Sequence, residues 1–74
     1  MKGRMVLKET ILTKREKEIF ELLVKNYSTK DISNKLSISE KTVRNHISNT
    51  IQKLGAKGRS QALVELIKIG SIKI

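Results

Sequence analysis

Residues 28–54 read STKDISNKLSISEKTVRNHISNTIQKL, and the fold follows from this stretch. Its apolar residues do not alternate with polar ones, as a half-buried strand requires. They recur at helical spacing, first as Ile32 and Leu36 and then as Val43, Ile47, Ile51 and Leu54. Ser28 and Asp31 have the spacing of a helix cap, so a helix is predicted from Ser28 or Thr29 to about Leu36, with the small Ser33 on the side where a crossing helix comes close. Ser37, Ile38 and Ser39 then form a turn, with Ile38 pinned inward and Ser39 capping a longer helix from about Glu40 to Leu54. Gly55 closes that helix. Two amphipathic helices joined by so short a turn make a helix-turn-helix.

Outward from this pair, Thr13 and Glu16 stand in the T-x-x-E spacing that satisfies two amide N–H groups at a helix start, with Leu12 before the cap. A helix is predicted from there to about Lys25. It turns Ile19, Phe20, Leu22, Leu23 and Val24 inward and Glu18, Glu21 and Lys25 to water, and it stops at Asn26, which tolerates a left-handed conformation. A fourth helix is predicted after Gly58, with Gln61 three residues on, running to Ile69 before Gly70; Gly58 caps weakly, so its first turn is expected to fray. The chain has no proline, no internal repeat and no alternating run long enough for a strand pair. The predicted class is all-α: a four-helix domain over residues 13–74 with a central helix-turn-helix, preceded by a flexible basic arm over residues 1–12. In that arm Met5, Val6 and Leu7 are too short an apolar run for a signal-peptide core or a membrane span.

Seventy-four residues make one small domain, with no room for a catalytic cleft. There is no cysteine, so helix packing alone must hold the fold, and a reducing cytoplasm suits it. Sixteen Lys and Arg against seven Asp and Glu give a net charge of +9, which implies a polyanionic partner. The excess is local: Lys41, Arg44, Lys53, Lys57 and Arg59 lie in a segment, 41–60, that contains no acid.

On a helical wheel Val43, Ile47, Thr50, Ile51 and Leu54 share one side of the third helix, and Lys41, Asn45, Ser48, Asn49 and Gln52 the other, flanked by Thr42 and Arg44. An α-helix fits the major groove of B-DNA, where Arg, Lys and Asn bond directly to base edges. In a helix-turn-helix the N-terminal part of the second helix makes those contacts, which selects Lys41, Arg44, Asn45 and Ser48 as base-contacting candidates. Ser28, Thr29 and Lys30, at a helix N-terminus, are candidates for phosphate contacts, as are Lys53 and Lys57 at the far end of the third helix. His46 is the only histidine; a metal or general-base role needs partners that the sequence does not supply, so packing or a phosphate bond is its expected use. No cofactor and no enzymatic activity are expected, since there are no paired carboxylates, no nucleophile with a base and no cofactor loop.

The fourth helix carries more apolar surface than one core needs. Ala62, Leu63, Leu66 and Ile69 cluster on one side, while Val64 and Ile67 stand on another, followed by Ile72 and Ile74. Val64, Ile67 and Ile72 are therefore expected to form a homodimer interface, unless the N-terminal arm covers them. The competing reading of the charge is a basic RNA- or protein-interaction module that reads no bases. Against it, Phe20 and Tyr27 are the only aromatics, too few for the stacking platform that single-stranded RNA favours. A membrane-surface helix fits less well, because the outer side of the third helix is rich in amides and hydroxyls.

The run Leu12-Thr13-x-Arg15-Glu16-x-Glu18-Ile19, then Lys30-Asp31-Ile32-Ser33-x-x-Leu36-x-Ile38-Ser39-x-x-Thr42-Val43-Arg44-x-His46-Ile47, and last Lys53-Leu54-Gly55 with Arg59-Ser60-Gln61-Ala62, closely resembles the LuxR/FixJ-type DNA-binding domain. The matches fall in all four predicted helices. The resemblance implies a dimer through the fourth helix and a third helix in the major groove of double-stranded DNA. The stretch from Ser39 to Asn49 followed by Gln52-Lys53-Leu54-Gly55 further resembles the small sporulation regulators of that family, which implies control of late mother-cell sporulation genes alongside RNA polymerase with a sporulation sigma factor. On this pattern Arg44, Asn45 and Ser48 face bases, Thr42 and Lys30 lie near phosphates, and Arg15 with Glu16 forms a structural cap and ion-pair site. The chain departs at Asn26, where glycine is usual, at Asp31, where glutamate is common, and at Ala56, where valine is common.

Overall fold

The computed structural model describes residues 12–72. They form four helices, α1 (Lys14–Val24), α2 (Thr29–Leu36), α3 (Glu40–Leu54) and α4 (Arg59–Lys68). The three N-terminal caps expected from serine and threonine are all present. Thr13 Oγ1 accepts from the Glu16 amide at 3.1 Å while Glu16 Oε1 accepts from the Thr13 amide at 2.9 Å, and Ser28 with Asp31 repeats the box on α2. Ser39 Oγ accepts from the Thr42 amide at 3.0 Å. Gly58 gives α4 no side-chain cap; Gln61 instead accepts from the Lys57 amide at 2.7 Å.

All four helices end in the same device. The residue after the last turn takes a left-handed conformation, at Asn26 (φ 71°), Ser37 (φ 58°), Gly55 (φ 68°) and Gly70 (φ 79°). The amide one position on then returns to a carbonyl five residues back: Tyr27 to Leu22, Ile38 to Ser33, Ala56 to Ile51 and Ser71 to Leu66. Each turn folds the chain back across the helix it ends. Ile38 and Tyr27 thereby pack on the core as half-buried residues.

α3 is the hub, packed against each of the other three helices. Its inward stripe buries Val43, Ile47 and Thr50 and half-buries Ile51 and Leu54, against Ile19, Phe20, Leu22 and Leu23 of α1, Ile32 of α2, and Ala62 and Leu66 of α4. The buried Thr50 hydroxyl donates to the His46 carbonyl at 2.9 Å, so no polar atom is stranded there. Ser33 is buried as a small residue and returns its hydroxyl to the Lys30 carbonyl at 2.8 Å.

Three expectations change. Ile72, expected at a dimer surface, is 1 % exposed in the core of its own chain. The turn at Gly70 reverses the backbone, and the Ile72 amide bonds to the Leu66 carbonyl at 3.3 Å, carrying the side chain inward. Leu12, assigned to the arm, packs on the core and belongs to the folded domain. Arg15 pairs with Glu18 at 3.2 Å and not with Glu16. The rest of the arm, residues 1–11, and Ile74 lie outside the described residues.

Candidate nucleic-acid interface

α3 presents Lys41, Arg44, Asn45, Ser48, Asn49 and Gln52 to solvent on the side away from the core. The Val43–Ile47–Thr50 stripe fixes that orientation, because burying it rotates the polar side outward as one surface. The four base-contacting candidates, Lys41, Arg44, Asn45 and Ser48, are therefore together on the first half of the helix, and all four are exposed. Arg44 Nη1 lies 3.4 Å from Glu40 Oε1 one turn earlier, a pair exposed on both sides.

The phosphate candidates divide. Thr29 is half-buried and Lys30 exposed at the start of α2. Ser28 is committed to its cap, and the Asp31 carboxylate accepts from the Ser28 amide at 3.3 Å, so part of the anion-binding capacity of that helix end is taken by the chain itself. Thr42 Oγ1 accepts from Ser39 Oγ at 2.9 Å, which leaves the Thr42 hydroxyl proton for an outside acceptor such as a phosphate oxygen. Lys57 is exposed. His46 is half-buried at the edge of the core face, and no group of three or more metal-ligating side chains occurs among the described residues.

Lys53 departs from expectation. Its Nζ lies 2.7 Å from Glu16 Oε1, bridging the C-terminal half of α3 to the first turn of α1. Glu16 is 2 % exposed, which sequence reading did not foresee for a charged residue in a capping box. Burial alone would raise the Glu16 carboxyl, but the Lys53 hydrogen bond, the Thr13 amide and the positive charges of Lys53 and His46 together outweigh it and hold the group below its ordinary range. The bridge ties α3 to α1 and sets part of the Lys53 charge against Glu16. The only sequence signal for it was that Glu16 and Lys53 both sit at the inner edge of their helical wheels.

Neither aromatic offers a stacking surface. Phe20 is fully buried, and the Lys35 ammonium sits over the Tyr27 ring, 5.9 Å from its centre. No helix among the described residues is long and apolar enough to cross a membrane.

A surface of this kind, on the second helix of a helix-turn-helix, is matched from residue 10 to residue 66 by the family described as bacterial regulatory proteins, luxR family. The chain belongs to that family. It is 58 % identical to the spore germination protein GerE of Bacillus subtilis (strain 168) over 74 residues, the whole of both chains. It is 50 % identical over 64 residues to the transcriptional regulatory protein DegU of Brevibacillus brevis, a match that spans 86 % of this chain and 27 % of that one. The solved structure of the transcription factor GerE superposes with a TM-score of 0.85 at 69 % identity, covering 86 % of this chain and 96 % of the other. The four helices found here thus form a DNA-binding helix-turn-helix domain, and the chain is a transcription regulator rather than an enzyme.

Proposed function

We propose that this chain reads a specific DNA sequence as a homodimer, with α3 in the major groove, and controls genes of sporulation in the cytoplasm, at the nucleoid, together with RNA polymerase carrying a sporulation sigma factor. One observation carries the DNA-reading part: Lys41, Arg44, Asn45 and Ser48 form a single exposed polar surface on the first half of α3, held outward by the buried stripe behind it. Lys41, Arg44 and Asn45 contact base edges, Ser48 assists, and Thr29, Lys30, Thr42 and Lys57 hold phosphates on either side. Whole-length similarity to a spore germination protein supports the sporulation role.

The dimer rests on α4. Val64 is 50 % exposed, a large apolar side chain left in water, and Leu63, Ile67 and Ile69 beside it are half-buried. Two copies joined there on a two-fold axis present two recognition helices to half-sites about one DNA turn apart. Ile67 also packs on the core, so Val64→Asp is the cleaner probe of the interface.

The test is selection of bound duplexes from a random pool, followed by titration of a selected and a scrambled duplex. Arg44→Ala is expected to lose about 1–3 kcal/mol on the selected duplex and little on the scrambled one. Equal losses would remove the base-reading role. Val64→Asp is expected to keep the fold and abolish cooperative occupation of paired half-sites; a variant that still pairs would place the interface elsewhere.

A further inference from the structure

Between Lys41 and Ser60 the chain carries no acid, yet α3 begins with one. Glu40 stands in the first turn of α3, the end that a helix-turn-helix places at the base edges, with its side chain 43 % exposed. Asp31, the other acid of the α2–α3 unit, is held by the amide of Ser28. Among the described residues no amide holds Glu40; its carboxylate accepts from Arg44 Nη1 at 3.4 Å. A carboxylate here complements the helix dipole, which explains its local stability but not its place on a surface facing a polyanion.

We propose that Glu40 is a specificity-determining residue, which engages the Arg44 guanidinium in the free protein and makes its release favourable only on a matching base step. The inference rests on the reading that α3 enters the groove with Arg44 towards the bases. On a random duplex Arg44 meets no matching base acceptor and stays with Glu40, and the carboxylate faces phosphates with no base donor to satisfy it. On a matching step, guanine O6 and N7 take the Arg44 fork, and the exocyclic amine of a cytosine in a neighbouring base pair donates to Glu40. Both partners of the broken pair are then satisfied. Glu40 therefore weakens binding to wrong sequences more than to the right one, discriminating by repulsion as well as by attraction.

The experiment uses the full chain with Glu40→Gln, which keeps the length of the side chain and its acceptor oxygen but removes the charge. Circular dichroism first establishes that the variant melts as a folded domain. A duplex selected with the parent protein and a scrambled duplex of equal composition are then titrated over a range of salt concentrations. Removing one like charge from the phosphate-facing end is expected to raise affinity for the scrambled duplex about fivefold, with less than about a twofold change on the selected one, so that the specificity ratio narrows. An equal change on both duplexes, or no gain on the scrambled one, overturns the proposal. Arg44→Ala measured alongside separates the two ideas. If it weakens both duplexes alike, the base-reading role of α3 fails; if it is selective while Glu40→Gln shifts both alike, only the role of Glu40 fails.

Discussion

Replacing Lys53 by Met keeps the aliphatic stem and removes the ammonium that faces Glu16 Oε1 at 2.7 Å. The carboxylate left behind is 2 % exposed and retains the Thr13 amide at 2.9 Å as its neutral donor. Stranding one partner of a fully buried pair costs about 3–5 kcal/mol. The Lys53 side chain is 33 % exposed, so water already screens part of the interaction, and about 2 kcal/mol is the expected loss at neutral pH. For a domain of this size that lowers the melting temperature by about 8–16 °C. The pH dependence distinguishes this ion pair from mere packing. The folded-state pKa of Glu16 lies below its ordinary value of 4.5, so its stabilisation is complete above that value and is lost as pH falls through the lower folded-state value. Without Lys53 the folded-state pKa must be higher than in the parent, because the interaction removed favours only the ionised form. The stability gap between parent and variant is therefore widest at neutral pH and narrows as pH falls from the variant's folded-state value to the parent's lower one, by about 1.4 kcal/mol for each unit by which the two differ. Paired melts of parent and Lys53→Met at pH 7 and at pH 3.5, followed by circular dichroism, give both numbers. A gap that is the same at the two pH values would refute the ion pair as the source of the stability.

Ile47→Ala, which removes part of the buried stripe of α3, is expected to destabilise by about 2–5 kcal/mol; a melt within a degree or two of the parent would mean that the faces of α3 are reversed. Ile72→Ala is expected to cost about 2–4 kcal/mol of monomer stability while leaving paired half-site binding intact once the protein is folded, as denaturant melts and DNA titrations would show. Ser37→Gly is expected to raise stability by about 0.5–1 kcal/mol, because the left-handed φ of 58° strains serine and not glycine; an unchanged or lower denaturant midpoint would contradict this.

The four helices and their starts were legible because they are written locally. A serine or threonine with an acid three residues on specifies a cap within one turn of chain, and the Val43–Ile47–Ile51 spacing specifies a face of α3 without reference to any other element. What the sequence hid was long-range. Glu16 looks like a surface residue of a capping box, and only the crossing of α1 over α3, which brings residue 53 to residue 16, shows that the oxygen accepting from the Thr13 amide also accepts from a lysine and that the carboxylate is sheltered. Ile72 looked like a surplus tail residue because a stop signal at Gly70 says where a helix ends but not which way the chain then turns. The left-handed turn supplies the direction, and it leads back to Leu66. Ser37 was read as part of the turn but not as its left-handed corner, since serine carries no such signal where Asn26, Gly55 and Gly70 do.

These corrections narrow the surfaces left for partners, and they do so in the same direction. With Ile72 inside, the apolar surface left for the proposed dimer contracts to Val64 and its half-buried neighbours, so small that the proposal expects DNA to strengthen it by holding two copies side by side. With Lys53 paired to Glu16, the cations left for the proposed DNA surface are Lys30, Lys41, Arg44 and Lys57, all exposed. Binding by such a domain depends on the angle at which α3 stands, and that angle is set on its inner side by the Val43–Ile47–Thr50 stripe and near its end by the Lys53–Glu16 bridge to α1. Substitutions on the outer side can therefore alter which sequence is read without touching the fold, whereas a change at Glu16 or Lys53 reaches DNA through the pose of α3.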